Sequence, residues 1–195
     1  MSCPLNHVGT VELDTGRLLL RQAWYDDAQK MYDRWTGDKK TTRYLPWHHK
    51  SPHDTVAYLS TVVGKYSRPN HYLWLICIKR EKKAPEPVGM IEIKNIDEDL
   101  KSCEISYVVG SKWWGRGIIP EALNAVLEVM FTRVGMKCVR ACCDARDANN
   151  AWVMEQCGMT YDGCLRYERM TNTGVGDTRF YSVLKDEWLA FKAGQ

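Results

Sequence analysis

The order of elements written into this chain predicts a mixed α/β domain, and three features carry the prediction. The first is a strand, a glycine-rich turn and a helix in direct succession: Cys103–Val109, Gly110–Gly117 and an amphipathic run opening near Ile118. The second is a further strand, Lys137–Cys143, directly after that helix, which implies a parallel pair because a crossover helix lies between the two. The third is a series of β-branched and aromatic runs joined by short polar turns, the pattern of antiparallel hairpins.

Taken in order, residues 1–16 read as an irregular arm and Arg17–Gln22 (RLLLRQ) as the opening strand. Asp26 and Asp27 start a helix to about Trp35, with Ala28, Met31, Tyr32 and Trp35 on one stripe. Thr41–Lys50 (TTRYLPWHHK) is an aromatic and basic loop. Ser51, Pro52 and Asp54 then give an N-cap, a first-turn proline and an acidic first turn for a helix to roughly Tyr66, burying Val56, Leu59 and Val63. His71–Lys79 and Val88–Ile96 form a hairpin around the polar turn Arg80–Pro87, and an acidic turn leads into the Cys103 strand. The helix from Ile118 runs to about Val134, where Gly135 ends it. A short helix, Asn149–Cys157, closes at Gly158, and Met159–Met170 pairs with Arg179–Lys185 around Asn172–Asp177. The total is about seven strands and about four helices in one domain, 17–188, with a C-terminal tail at 189–195.

Composition narrows the function classes. The 195 residues include 45% hydrophobic and 26% charged residues, enough for one core and a soluble surface. A formal charge of +3, dispersed along the chain, gives no electrostatic footprint for nucleic acid. The N-terminal stretch lacks a signal-peptide pattern and no apolar run approaches a membrane span. Eight cysteines contain no C-x-x-C pair, and most lie in apolar segments, so a reducing cytoplasm is the expected compartment. No His-x-x-x-His or Cys/His cluster has ligand spacing, so no metal is expected. His48 and His49 read as a solvated loop, and no base is placed to make Cys142 or Cys143 a nucleophile.

The turn carries the chemistry. A glycine-rich strand-to-helix connection gathers backbone N–H groups at the positive end of a helix dipole and makes an anion site, most often for phosphate. The dinucleotide fingerprint fails because Pro120 stands where its third glycine belongs, and no Walker loop is present. Lys112-Trp113-Trp114-Gly115-Arg116-Gly117 instead resembles the acetyl-coenzyme A signature of the GNAT N-acetyltransferases, Gln/Arg-x-x-Gly-x-Gly/Ala, with Lys at the first position. The likeness continues in Arg17–Arg21, in Arg43–Trp47, in Val153–Met159 (VMEQCGM) and in Tyr181–Trp188 (YSVLKDEW), and is strongest to the ribosomal-protein N-acetyltransferases of the RimJ/RimL type.

The resemblance implies a GNAT fold with a mostly antiparallel, twisted sheet, and transfer of an acetyl group from acetyl-coenzyme A to an amine. The amine is a protein or peptide N-terminal α-amino group first, with polyamines, aminoglycosides and other small amines as alternatives. A non-catalytic coenzyme A-binding module is the contrasting class, and monomer and homodimer stay equally open. It further implies that main-chain N–H groups of Tyr107–Val109, Val108 foremost, hold the acetyl oxygen, and that Val109, Gly110, Lys112, Trp114, Gly115, Arg116, Gly117 and Ile118 surround the coenzyme A. Asp147 and Asn150 stand where relatives carry Asn and Ser against the pantetheine arm. Asn150 cannot release a proton as that Ser is held to do. Removing a proton from the amine needs a base or a water chain. Strand alternation sets Glu104 on one face with Ser106 and Val108, which makes Glu104 the first candidate, Glu92 the second and ordered water the third.

Overall fold

The computed structural model describes residues 4–194. Its strands are β1 (Leu13–Asp14), β2 (Leu18–Arg21), β3 (Tyr72–Arg80), β4 (Lys83–Asp97), β5 (Ser102–Val109), β6 (Cys138–Asp144), β7 (Thr160–Thr171) and β8 (Gly174–Leu184). The helices are α1 (Ala28–Met31), α2 (Lys39–Thr42), α3 (Pro52–Val63), α4 (Ile118–Glu128), α5 (Ala148–Glu155) and α6 (Lys185–Ala193). One sheet runs in the order β1-β2-β3-β4-β5-β6-β8-β7, and only β5 and β6 are parallel. The mixed, mostly antiparallel architecture is the one expected.

The elements beyond the expected count are those with the weakest local signals. β1 is two residues long and exists by pairing with β2. α2 is a single turn, capped by the Asp38 side chain on the Lys40 N–H at 3.0 Å. α6 starts where Glu187 accepts the Leu184 N–H at 3.0 Å, and it buries Trp188 against Phe131, so the segment after 188 is helical to Ala193. Two turns are tighter than expected. β4 begins at Lys83, leaving only Glu81 and Lys82 in the hairpin, and β8 begins at Gly174, leaving Asn172 and Thr173. Pro85 and Pro87 are tolerated because β5 reaches only to Gly89, so this part of β4 is an edge.

Each face of the sheet has its own core. On one face Leu18, Leu20, Trp74, Ile91 and Ile105 pack with Ile118, Leu123, Val126 and Phe131 from α4 and its continuation, and with Met154 of α5. On the other, Leu73, Leu75, Met90 and Val108 meet Met31, Trp35, Leu59 and Val62. Val56 does not join this second core as expected: it is 41% exposed, and Thr55 faces inward instead. The inner position tolerates a threonine because the Thr55 hydroxyl bonds Thr36 (2.9 Å) and His49 (2.8 Å). The segment before β1 is stitched down as well, with the Asn6 N–H on Val134 O at 2.9 Å and His7 on the Tyr72 hydroxyl at 2.9 Å.

One feature of the sheet makes the site. β5 and β6 pair only over Ser102–Glu104 and Cys138–Arg140, and then part. β5 stays in register with β4 to Val109, and β6 stays with β8 to Asp144. The wedge between them is open.

β4 meets this region through two irregularities. Val88 is bulged, since Ile76 pairs with Gly89 and Cys77 with Pro87. Asn95 sits at a second bulge with φ 48°. At Gly89 an added Cβ would lie 2.2 Å from Val108 O, so the close β4–β5 approach requires glycine. Gly89→Ala is expected to destabilise the fold by about 3 kcal/mol, a drop of roughly 10 °C in melting temperature. Gly64→Ala, where an added Cβ meets nothing within 4 Å, leaves the melting temperature level or slightly raised. Equal melting of the two variants in a thermal scan contradicts this account of the bulge.

Candidate active site

The wedge between β5 and β6 opens into a cavity of about 700 Å³, lined by Ile105–Val109, the 113–120 turn, Cys142–Asp144, the start of α5 and the 43–47 loop. At its α4 end the chain turns through Gly115 (φ 71°) and Gly117 (φ 68°), both left-handed. That backbone conformation is why glycine stands at each position. Gly117 is also the N-cap of α4, and no side chain caps this helix, so its first N–H groups face the cavity free. Arg17, 100 positions away in the chain, holds the turn from behind. Its guanidinium donates to Arg116 O (3.0 Å), Gly117 O (3.3 Å) and Glu121 (2.7 Å), so the turn's carbonyls point away from the cavity and its N–H groups towards it.

Main-chain alternation along β5 corrects one expectation. The Gly110 N–H donates to Val88 O on the β4 side, and Lys101 O accepts the Lys137 N–H on the β6 side. The main-chain groups of Val108 therefore point to β4, and those of Tyr107 and Val109 point into the wedge. The side chain and the main chain of a strand residue alternate about different axes. The Val108 side chain sits as expected, packed with Met90, while its N–H is not the one that faces the cavity. Trp114 closes the end of this row by donating its indole N–H to Val109 O at 2.9 Å.

Three carboxylates line the cavity, and their surroundings separate them. Asp144 is gripped by Arg146 through two bonds of 2.7 and 2.6 Å, which hold its carboxyl below the usual range. Asp147 caps α5 by accepting the Asn150 N–H at 3.2 Å, and burial pushes its carboxyl up. Glu104 alone is held in a way that leaves it turned to the cavity. Asn95 donates to Oε2 at 2.9 Å and the Cys142 thiol lies 3.7 Å from Oε1. Burial raises the Cys142 thiol, so it stays protonated, and Arg169 reaches its sulfur at 3.3 Å. Asn150 accepts the Tyr107 hydroxyl at 2.6 Å, and burial keeps that phenol far above its ordinary pKa.

Several expected residues fall elsewhere. Lys112 does not line the cavity; it borders a smaller crevice with Tyr32 and Asp38. Glu92 does not line the cavity and pairs with Lys94 at 3.1 Å. His48 and His49 are bonded to Thr42 (2.9 Å) and Thr55 (2.8 Å) within the loop. Among the described residues no group of three or more His, Cys, Asp or Glu could hold a metal ion. Sequence reasoning passed over Asn95, Tyr107 as a side chain, Cys142, Arg169 and Arg17. Only the positive φ permitted to an asparagine at a strand break could have marked the first of these. The others depend on contacts between distant parts of the chain.

The mouth of the cavity is basic and aromatic. The Arg43 guanidinium stands 4.5 Å from the Tyr44 ring centre and 5.9 Å from that of Trp114, and Arg146 covers Tyr44 at 5.3 Å. Arg43, Lys94, Arg116 and Arg169 all line the cavity.

Residues 17–160 match the acetyltransferase (GNAT) domain family. The chain is 23% identical over 173 residues to the uncharacterized N-acetyltransferase YoaA of Bacillus subtilis (strain 168), covering 89% of this chain and 96% of that protein. Its fold matches the ribosomal-protein-S5-alanine acetyltransferase of Vibrio fischeri with a TM-score of 0.78 at 18% identity, over 91% of this chain and 98% of the other. It also matches the microcin C7 self-immunity acetyltransferase MccE, solved with acetyl-CoA and AMP, with a TM-score of 0.76 at 19% identity, over 87% and 93% of the two chains. With the family matched across most of its length and the glycine turn, the parted strands and the cavity all in place, the chain belongs to the GNAT family and is an acetyl-coenzyme A-dependent N-acetyltransferase.

Proposed function

We propose that this enzyme acetylates the α-amino group at a protein or peptide N-terminus, with Glu104 as the base. The observation that carries the reading is a conjunction: an uncapped helix N-terminus behind two left-handed glycines opens onto the same cavity as one carboxylate not committed to a guanidinium or a helix cap. The Gly115–Ile118 amides would take the pyrophosphate of acetyl-coenzyme A. The pantetheine arm would lie along the wedge, where Asp147 and Asn150 border it. The N–H groups of Tyr107 and Val109 would meet the negative charge that develops on the acetyl oxygen. Glu104 would take the proton from the attacking amine, and Asn95 would keep its carboxylate turned to that amine. Holding amine and thioester in line supplies much of the remaining acceleration.

The choice of acceptor rests on charge. A polyamine or aminoglycoside brings several positive charges to a cavity lined by Arg43, Lys94, Arg116 and Arg169 against Glu104, Asp144 and Asp147, of which Asp144 is already paired with Arg146, so the balance is cationic and repels it. A peptide brings one amine and a neutral or acidic segment behind it, which the same cations attract. The acidic run Asp97–Asp99 lies at the β4–β5 turn, outside the cavity, and gives a polycation no compensation. The structural likeness to an S5-alanine acetyltransferase is consistent with this acceptor class.

Three measurements test the reading. Coenzyme A is expected to raise the melting temperature of the parent enzyme and leave that of Gly117→Glu unmoved, because a side chain at this left-handed position, built towards Arg17, disturbs the turn whose N–H groups would hold the pyrophosphate and adds a like charge beside it. An equal shift in both proteins puts the phosphate site elsewhere.

Glu104→Gln is expected to lower turnover by roughly 10²–10⁴-fold at little change in acetyl-coenzyme A affinity. Retention of more than about a third of parental turnover, far outside that range, assigns the proton to ordered water.

Short peptides with free N-termini, above all with Asp or Glu in the next positions, should be acetylated faster than spermidine or kanamycin at equal concentration. Low salt should widen the margin for the acidic peptides. Efficient, saturable acetylation of spermidine without peptide product overturns the acceptor assignment. Coenzyme A binding with no turnover on any amine makes the protein a binding module.

A further inference from the structure

We infer that Asn172 is a specificity-determining positioning residue, which fixes the width of the acceptor opening by clasping the 43–47 loop to the β7–β8 hairpin. The inference rests on the reading that this mouth admits the acceptor. The loop between α2 and α3 has no regular structure over Arg43–Ser51, yet five of its residues in succession, Arg43 to Trp47, line the cavity. A stretch of that kind keeps its shape only if its main-chain carbonyls find partners. Two of them, and the last carbonyl of α2, find the same residue. The Asn172 side-chain amide donates to Thr42 O and Trp47 O, each at 2.9 Å, and its main-chain N–H donates to Leu45 O at 3.1 Å.

The hairpin itself does not use that side chain. Its two-residue turn is closed by the Thr171 hydroxyl on Gly174 O at 2.9 Å, with Gly174 left-handed at φ 95°. Both N–H bonds of the Asn172 amide go across the gap to the loop. The same hairpin carries Arg169 and Thr171 into the cavity, so the two walls of the mouth are joined at this residue. A second tie fastens the loop's other end. Asp38 accepts the Thr41 and Ser111 hydroxyls at 2.7 and 2.6 Å, next to the phosphate turn. The far end is held by His49, whose N–H donates to Thr36 O at 3.0 Å and whose ring meets the Thr55 hydroxyl, so release of Asn172 would free the stretch between these two ends, which changes the acceptor side and spares the coenzyme A side.

Asn172→Asp is the sharpest test, because aspartate keeps the size and the turn preference of asparagine but has no donor and sets a carboxylate against two carbonyls. With the full chain and a short acidic peptide as acceptor, the variant is expected to raise the acceptor KM about tenfold, the scale set by losing two ordinary hydrogen bonds. Turnover at saturating peptide and the Kd for coenzyme A by calorimetry stay within about twofold of the parent. Asn172→Ala shows the same split. In hydrogen–deuterium exchange, peptides covering 42–50 exchange faster in both variants while those covering 102–118 keep parental rates. An unchanged acceptor KM overturns the proposal, whether or not the loop exchanges faster. So does a parallel weakening of acceptor and coenzyme A with faster exchange throughout, which makes Asn172 a residue of general stability. If the parent acetylates no peptide, the acceptor reading falls by itself; the exchange experiment and the KM for whichever amine it does accept still decide the clasp.

Discussion

β5 and β6 are held together by three residue pairs and then separate, and the candidate site is the cavity this separation leaves. A parallel pair normally satisfies its main-chain groups along its whole length. Here the odd-numbered residues of β5 beyond Glu104 lose their neighbour while each strand keeps its other one: β4 holds β5 to Val109, and β8 holds β6 to Asp144. The wedge is therefore rigid on both sides and rich in unpaired main-chain polar groups, a combination that an extended ligand with amides of its own can satisfy. Cores on both faces of the sheet keep the wedge from closing by collapse.

The glycine turn depends on the same frame. Gly115 and Gly117 supply the left-handed backbone, but the direction of their N–H groups is set by Arg17, which draws the carbonyls of Arg116 and Gly117 to the outer side. Glu121 completes the arrangement by binding both Arg17 and the Thr15 hydroxyl. The glycine turn at the centre of the chain is thus shaped by a residue near its beginning. Charged hydrogen bonds of this kind are worth roughly 1.5–3 kcal/mol where they are shielded and less where water competes.

The division of labour among the cavity's carboxylates also follows from local partners. Asp144 is neutralised by Arg146, Asp147 is spent on capping α5, and Glu104 is oriented by an asparagine that can adopt the left-handed conformation of a strand bulge. Of the cavity's cations, Arg43 is braced by the Tyr44 and Trp114 rings, while Lys94 pairs with Glu92 and Arg169 reaches the Cys142 sulfur. A ring holds a guanidinium without cancelling its charge, so Arg43 keeps its positive field.

By itself the sequence determined the strand–turn–helix unit, the hairpin series, the parallel pair and the likeness to the GNAT acetyltransferases. These follow from hydrophobic period, glycine placement and short-range order, which are local properties. It also pointed to Glu104, because period-two alternation fixes which residues share a strand face. The tertiary structure decided what depends on partners far away in the chain. It set how far β5 and β6 run together, that Tyr107 and Val109 rather than Val108 turn their N–H groups to the wedge, and that Lys112 and Glu92 stand outside the cavity. It also brought Arg17 to Gly117 and Asn172 to Trp47. None of these pairings has a signature in the neighbouring residues, since a hydrogen bond across the fold is specified by the packing of whole elements and not by the sequence on either side of it.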